Sequence, residues 1–237
     1  MQSKSSLVAF ADRAALTTKI TELIATQLQA SLGATGKARF AVSGGSTPAD
    51  VYRALSALDL PWDKIHIDMV DERFVPPTHE ASNESFVHRT LLKDYAAAAA
   101  FDGLWREGLN LDEAAQAASD RHASVDGDLD VVVLGMGGDG HTASWFPHAD
   151  GLSQALDNGA PSFCAVTAQQ SEVTGAHTQR LTMSLPLVAS AKLIILLIAG
   201  DEKRNALNAA LADGPIADAP VRAILRARPD LWICWAP

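Results

Sequence analysis

The chain has 237 residues, 48% hydrophobic and 20% charged, which is ordinary for a globular protein with one large core or two small ones. Its formal net charge of −9 disfavours nucleic acid and anionic membranes as partners, since both demand a basic footprint. The longest apolar run, Leu193–Ala199, falls far short of the ~20 residues a bilayer span needs.

Residues 1–16 place a Lys and an Asp around a weak apolar stretch, a poor secretory leader, so a cytoplasmic location is expected. Cys164 and Cys234 fit no zinc motif and cannot build a disulfide framework. Both lie in apolar, strand-like segments and read as buried thiols.

In chain order, residues 10–32 place Leu16, Ile20, Leu23, Ile24, Leu28 and Leu32 at helical spacing, with Gly33 as a stop. "ARFAVSGG" reads as a short buried strand. "TPADVYRALSAL" follows as a helix with Thr47 as N-cap and Pro48 in the first helical position. "KIHIDMV" is a strand, "NESFVHRTLL" and "LDEAAQAASDRHAS" are helices, and the alanine run 96–100 is compatible with helix. Then come the strands "LDVVVLG", "SFCAV" and "KLIILLIAG", the helices "DEKRNALNAALA" and "PVRAILRARP", and a closing strand "LWICW".

No linker or repeat divides the chain, so residues 1–237 are expected to form a single domain. Near-continuous apolar strands alternating with helices imply an α/β fold: a mostly parallel, doubly wound sheet covered on both faces. Ligands of such sheets bind beyond the carboxyl ends of the strands, and four strand ends carry chemistry.

The first is "AVSGGSTP". Gly44 and Gly45 allow close backbone approach, Ser46 and Thr47 offer hydroxyls, and the next helix points its free N–H groups at the same place. This fits a phosphate cradle but not a Walker loop, for no Gly-Lys-Ser/Thr follows. The second is "DMVDERFVPP", where Asp71, Glu72 and Arg73 follow a buried strand. Arg73 could clamp a carboxylate, a phosphate or a developing oxyanion. His66, Asp68, His79 and Glu80 lie nearby without the spacing of a zinc site.

The third is "VVVLGMGGDGHTASWFPH". Gly135, Gly137 and Gly140 spell a dinucleotide fingerprint, yet the next strand ends in "TAQQ", without the acidic residue that holds a ribose. The glycines instead suit a loop holding His141 before a short helix, where an imidazole can accept a proton from water. Asp139 reads as a loop-shaping, capping residue and Asp71 as a pocket carboxylate; either could orient His141. The fourth is "LIAGDEKRNAL", in which Lys203 offers a positive point charge, with Arg180 of "QRLTMSLP" as a further cation.

Together "AVSGGSTP", "VDERFVP", "LGMGGDGHTASWFP", "RLTMSLP" and "AGDEKRNAL" resemble, in order, the motifs of the 6-phosphogluconolactonase family, within a larger group that includes glucosamine-6-phosphate deaminases. The resemblance implies a three-layer α/β fold and hydrolysis of 6-phospho-D-glucono-1,5-lactone to 6-phosphogluconate in the oxidative pentose phosphate pathway, with no metal and no organic cofactor. It also implies that Gly44, Gly45, Ser46 and Thr47 bind the sugar phosphate, that Arg73, Arg180 and Lys203 are its positive partners, and that His141 is the general base.

"HTASWFP" resembles the lactonase continuation rather than the deaminase one, and Asp71-Glu72-Arg73 stands where deaminases tend to carry Asp-Glu-Tyr. Trp145 replaces the usual Leu, and His148 the usual Gly. A glucosamine-6-phosphate deaminase or similar aldose–ketose isomerase, a non-catalytic sugar-phosphate sensor and a nicotinamide oxidoreductase are the rival readings. A monomer is expected.

Overall fold

The computed structural model describes residues 7–237; residues 1–6, which open the segment read above as a poor leader, lie outside the described residues. Seven strands form the main sheet, in the spatial order β1 (Leu7–Ala9), β10 (Trp232–Ala236), β9 (Leu193–Ala199), β6 (Val131–Gly135), β2 (Ala38–Val42), β3 (Ile65–Met69) and β5 (Ala100–Asp102). Every neighbouring pair is parallel.

The strands are apolar at consecutive positions because both faces are covered. In β9, Ile195 and Leu197 pack into one core with Leu16, Ile20 and Ile24 of helix α1 (Arg13–Thr35). Ile194, Leu196 and Ile198 join the opposite core, with Leu207 of α7 (Asp201–Leu211) and Ile224 of α8 (Val221–Ala227). Truncating any of these buried side chains to Ala costs about 2–5 kcal/mol. Among the described residues no helix is long and apolar enough to cross a membrane. Cys164 and Cys234 are free and buried, and burial pushes their thiols up to about 11 and about 12.

Most elements fall where the sequence places them, α3 (Asn83–Thr90) and α4 (Leu111–Ser124) included. Helix α1 runs past Gly33 and stops at Gly36, whose φ of +76° terminates the helix in the left-handed region. Helix α2 (Ala49–Ser56) has Pro48, not Thr47, in its capping position and no side-chain cap. The alanine run makes a 3-10 turn, Asp94–Ala98, and then strand β5.

A second sheet was not legible in the sequence. Strands β4 (Asp71–Arg73), β8 (Gln179–Met183) and β7 (Phe163–Thr167) pair antiparallel in that order. Leu181, Met183, Phe163 and Val166 bury their side chains in the same core as α7 and α8. Two short helices, α5 (Leu152–Leu156) and α6 (Leu185–Ala189), complete the chain.

The order of the main sheet fixes where a ligand binds. From β2 the chain moves outward through β3 to β5, then returns to β6 on the other side of β2 and moves outward again through β9 and β10. Strands β2 and β6 therefore flank the topological switch, where the loops leaving their carboxyl ends diverge and open a crevice. Their ladder spans only Phe40–Val131 and Ala41–Val132. Beyond it Ser43 Oγ donates to Val133 O at 2.8 Å, replacing the ladder by a side-chain tie.

Candidate active site at the topological switch

A cavity of about 370 Å³ opens at this crevice. Ser43, Gly44 and Gly45 wall it from the end of β2, and residues 135–138 with His141 from the end of β6. Asp71 and Arg73 enter from β4, Arg180 from β8 and Lys203 from the first turn of α7. All four chemically marked strand ends thus meet in one space. Ser46 and Thr47 do not reach its wall, and Asp139 stands behind His141.

Buried Tyr52 braces the glycine turn: its hydroxyl donates to Ser43 O at 3.0 Å and accepts from Ser43 N at 3.1 Å. Burial raises the phenol's pKa well above the tyrosine range, so the donor is retained. Gly45 has a φ of +105°, a conformation open to glycine at little cost. Gly44 is required for a different reason. A Cβ there would stand 2.0 Å from Asn83 Oδ1, so a side chain at the start of α3 already occupies that space.

The loop after β6 is folded around His141. Gly137 N–H donates to His141 O at 3.0 Å, and Gly140 N–H to Gly137 O at 3.1 Å. Oδ1 of Asp139 lies 2.6 Å from His141 Nδ1 and accepts from the His141 backbone N–H at 3.1 Å. This engages Nδ1 and leaves Nε2 as the ring nitrogen available for chemistry. The imidazole rests on Phe146, with ring centroids 4.2 Å apart. Burial by itself would raise the pKa of Asp139, but hydrogen bonds from His141 and its nearby charge outweigh that and leave it lowered.

No helix follows His141; the next is α5, which starts at Leu152. The expectation of a short helix capped by Asp139 is therefore corrected; of the two carboxylates that could orient His141, Asp139 is the one bonded to its ring, whereas Asp71 is bonded to Ser144. The same fact removes the dinucleotide reading, because a pyrophosphate needs the helix N-terminus that is missing here.

The cations are arranged unusually. Arg73 and Arg180 are directly opposed partners across β4 and β8, a like-charge pairing that costs energy without anionic company. Arg73 donates from Nη1 to Ala81 O at 2.5 Å, while its buried Nε has no partner. Arg180 is 4% exposed and donates to His177 O at 2.7 Å and to Thr174 O at 2.9 Å. Its guanidinium carbon lies 5.1 Å from the Phe146 centroid. Burial pulls Arg180 down to about 10; the carboxylate of Asp71 opposes that fall and the charge of Arg73 deepens it. Asp71 is held in turn by Ser144, whose hydroxyl donates to Oδ2 at 2.6 Å. Among the described residues Lys203 forms no ion pair.

Two residues were not identified as site members from the sequence. Glu72 is fully buried and accepts from Ser82 Oγ and from the backbone N–H groups of Arg73, Asn83 and Glu84, at 2.7 to 3.0 Å. It locks β4 onto the start of α3, and burial pushes its carboxyl up to about 7 despite those four donors. Asn83 lines the cavity and donates to Asp71 O at 3.0 Å. Its signal was visible in "SNES", since Ser82 caps α3 through Ser85 N–H and so aims the first helical residue at the strand ends.

The two departures from the family pattern also find their places. Trp145 is fully buried, its indole N–H donating to Met183 O at 2.9 Å, so it belongs to the core rather than to the cavity rim. His148 has a φ of +54°, the conformation for which glycine is ordinarily used. Among the described residues, no group of three His, Cys, Asp or Glu could hold a metal ion.

Comparison with known proteins agrees with this geometry. Residues 11–233 match the family described as glucosamine-6-phosphate isomerases/6-phosphogluconolactonase. The chain is 43% identical to a 6-phosphogluconolactonase of Rhizobium meliloti, over 96% of this chain and 97% of that protein. It is 40% identical to one of Mesorhizobium japonicum, over 97% and 94%. A crystal structure of a 6-phosphogluconolactonase from Shewanella baltica superposes with a TM-score of 0.92 at 33% identity, covering both chains completely. A mostly parallel sheet with helices on both faces, a glycine turn and a histidine loop at its switch point, and this likeness over nearly the whole length lead to one conclusion: the chain belongs to the glucosamine-6-phosphate isomerase/6-phosphogluconolactonase family.

Proposed function

We propose that the protein hydrolyses 6-phospho-D-glucono-1,5-lactone to 6-phosphogluconate in the oxidative pentose phosphate pathway. The observation that carries this reading is the hydrogen-bonded Asp139–His141 pair facing a cavity shared with Gly44, Gly45, Arg73, Arg180 and Lys203.

A lactone is an ester, so water can attack its carbonyl carbon directly. His141 Nε2 takes a proton from that water, and Asp139 holds the ring orientation and stabilises the imidazolium. Charge developing on the carbonyl oxygen is met by Arg73 or by backbone N–H groups of the glycine loops. The C–O bond to the ring oxygen then breaks, and that oxygen takes the proton back from His141. One water is consumed, and the acid released ionises in solution.

Backbone at Gly44 and Gly45, with Ser46 and Thr47 behind it and Lys203 as counter-charge, anchors the phosphate, while Arg180, paired with Arg73 and stacked over the ring on which His141 rests, binds the substrate at the reacting end. Anchor binding positions the distant carbonyl, which is where remote binding energy contributes to rate. This chemistry requires neither a metal nor a nucleophilic serine. The reading makes the protein a cytoplasmic, single-domain, monomeric enzyme acting on a small anionic ester.

The test is a pair of assays on one preparation: lactone opening, corrected for spontaneous hydrolysis, and ammonia release from glucosamine 6-phosphate. Rapid lactone opening without ammonia is the expected result. Ammonia release with no lactonase activity would replace the proposal with a deaminase.

A further inference from the structure

A carboxylate in the wall of a pocket that takes an anionic substrate is a cost unless it performs a task. Asp71 is 7% exposed, lines the cavity beside Arg73 and Arg180, and belongs to neither the base nor the phosphate anchor. It is fixed at both ends. Its backbone carbonyl accepts from Asn83, and its Oδ2 from Ser144, three residues beyond His141 on the same loop. The carboxylate is thus tied to the segment that carries the base, which is the end where the ester reacts. Ser144 is itself fully buried, and its N–H donates to Thr182 Oγ1 at 3.2 Å.

Resting on the lactonase reading, the chemistry at that end is asymmetric. The substrate's reacting group is neutral, whereas the product carries a carboxylate there. Two arginines suited to a passing oxyanion would hold a permanent one through charge-assisted hydrogen bonds, and release would then limit turnover. We infer that Asp71, tethered by Ser144, discriminates between substrate and product, repelling the newly formed carboxylate and so preventing the arginine pair from retaining it. Its proximity to Arg180 is felt already in the free protein, where it opposes the downward shift of that guanidinium.

The test uses calorimetric titration with two ligands that share the phosphate and carbon chain. One is 6-phosphogluconate, with a carboxylate at the first carbon; the other is glucitol 6-phosphate, with a neutral hydroxymethyl there. In wild-type protein the neutral-ended ligand is expected to bind at least as tightly as the acid. Asp71→Asn keeps an acceptor for Ser144 and removes the charge. It should tighten 6-phosphogluconate about tenfold, equivalent to about 1.4 kcal/mol, and leave glucitol 6-phosphate within about twofold. Progress curves of the variant should show correspondingly stronger product inhibition.

Equal changes for both ligands, or no gain for the acid, would overturn the inference. Should the Asn form fail to fold, Asp71→Ser is titrated instead, and wild-type preference for the acid would by itself overturn the inference. Failure of wild-type protein to bind either ligand would overturn the reading of the site, and this proposal with it.

Discussion

Gly137 and His141 are fitted to each other. A Cβ on Gly137 would lie 2.2 Å from both Nδ1 and Cε1 of the imidazole, and 2.7 Å from Asp139 Oδ1. The glycine therefore serves to let the dyad lie against the backbone. Gly137→Ala should displace the ring while the fold absorbs the change, because side-chain ends can move where backbone cannot. A shift of about 1 Å in a reacting group costs about a hundredfold in rate. Lactone turnover should fall by that order with a nearly unchanged melting temperature; wild-type turnover would show that the ring position is not critical.

Asp139→Asn tests the partner of the base by two readouts. The folded-state pKa of Asp139 is lowered, so its contribution to stability is present above the ordinary carboxylate pKa of ~3.9 and is lost as pH falls through the lower folded value. The variant should show a shallower loss of melting temperature on acidification below about pH 5. It should also lose turnover at neutral pH, because an amide cannot stabilise the imidazolium. An unchanged acid limb would mean that the pair contributes nothing to stability.

Lys203→Ala separates anchoring from chemistry. The variant should raise KM for the phosphorylated lactone about tenfold or more, the order expected for losing a charge-assisted contact. Hydrolysis of gluconolactone without phosphate should be unaffected. An equal loss on both substrates would assign Lys203 to the reacting end.

Glu72→Ala leaves four hydrogen-bond donors at the β4–α3 junction without their acceptor. Each buried group left unpaired costs about 1–3 kcal/mol, so the variant should be destabilised by at least about 3 kcal/mol in urea unfolding. A change under about 1 kcal/mol would mean that solvent reaches these donors, against the full burial of Glu72.

Five strands of the main sheet were legible because parallel strands buried on both faces read as unbroken apolar runs, as Leu193–Ala199 does; its two edge strands, β1 and β5, are only three residues long and were not. The second sheet was not, since β4 consists of Asp71, Glu72 and Arg73, three charged residues with no strand pattern; long-range pairing to β8 makes them a strand. The four strand ends could be named from the sequence because the topology of such sheets sends them to one side. Their internal geometry could not. Asp139 read as a cap, with Asp139 and Asp71 both open as the carboxylate that orients His141; only the folded loop, which has no helix to cap, brings the Asp139 carboxylate onto the imidazole. Asn83 lies 39 positions from Gly44, and only the folded chain puts its amide where a Cβ would be.

The central claim is that the imidazole of His141 removes the proton from the attacking water, and His141→Asn tests it most directly. Lactone opening would be followed at fixed pH with the spontaneous rate subtracted, alongside a melting curve that verifies folding. Loss of a general base predicts a fall in kcat of about a hundredfold to ten-thousandfold, with KM little changed because the phosphate anchor is intact. Near-wild-type turnover in a folded variant would contradict the account.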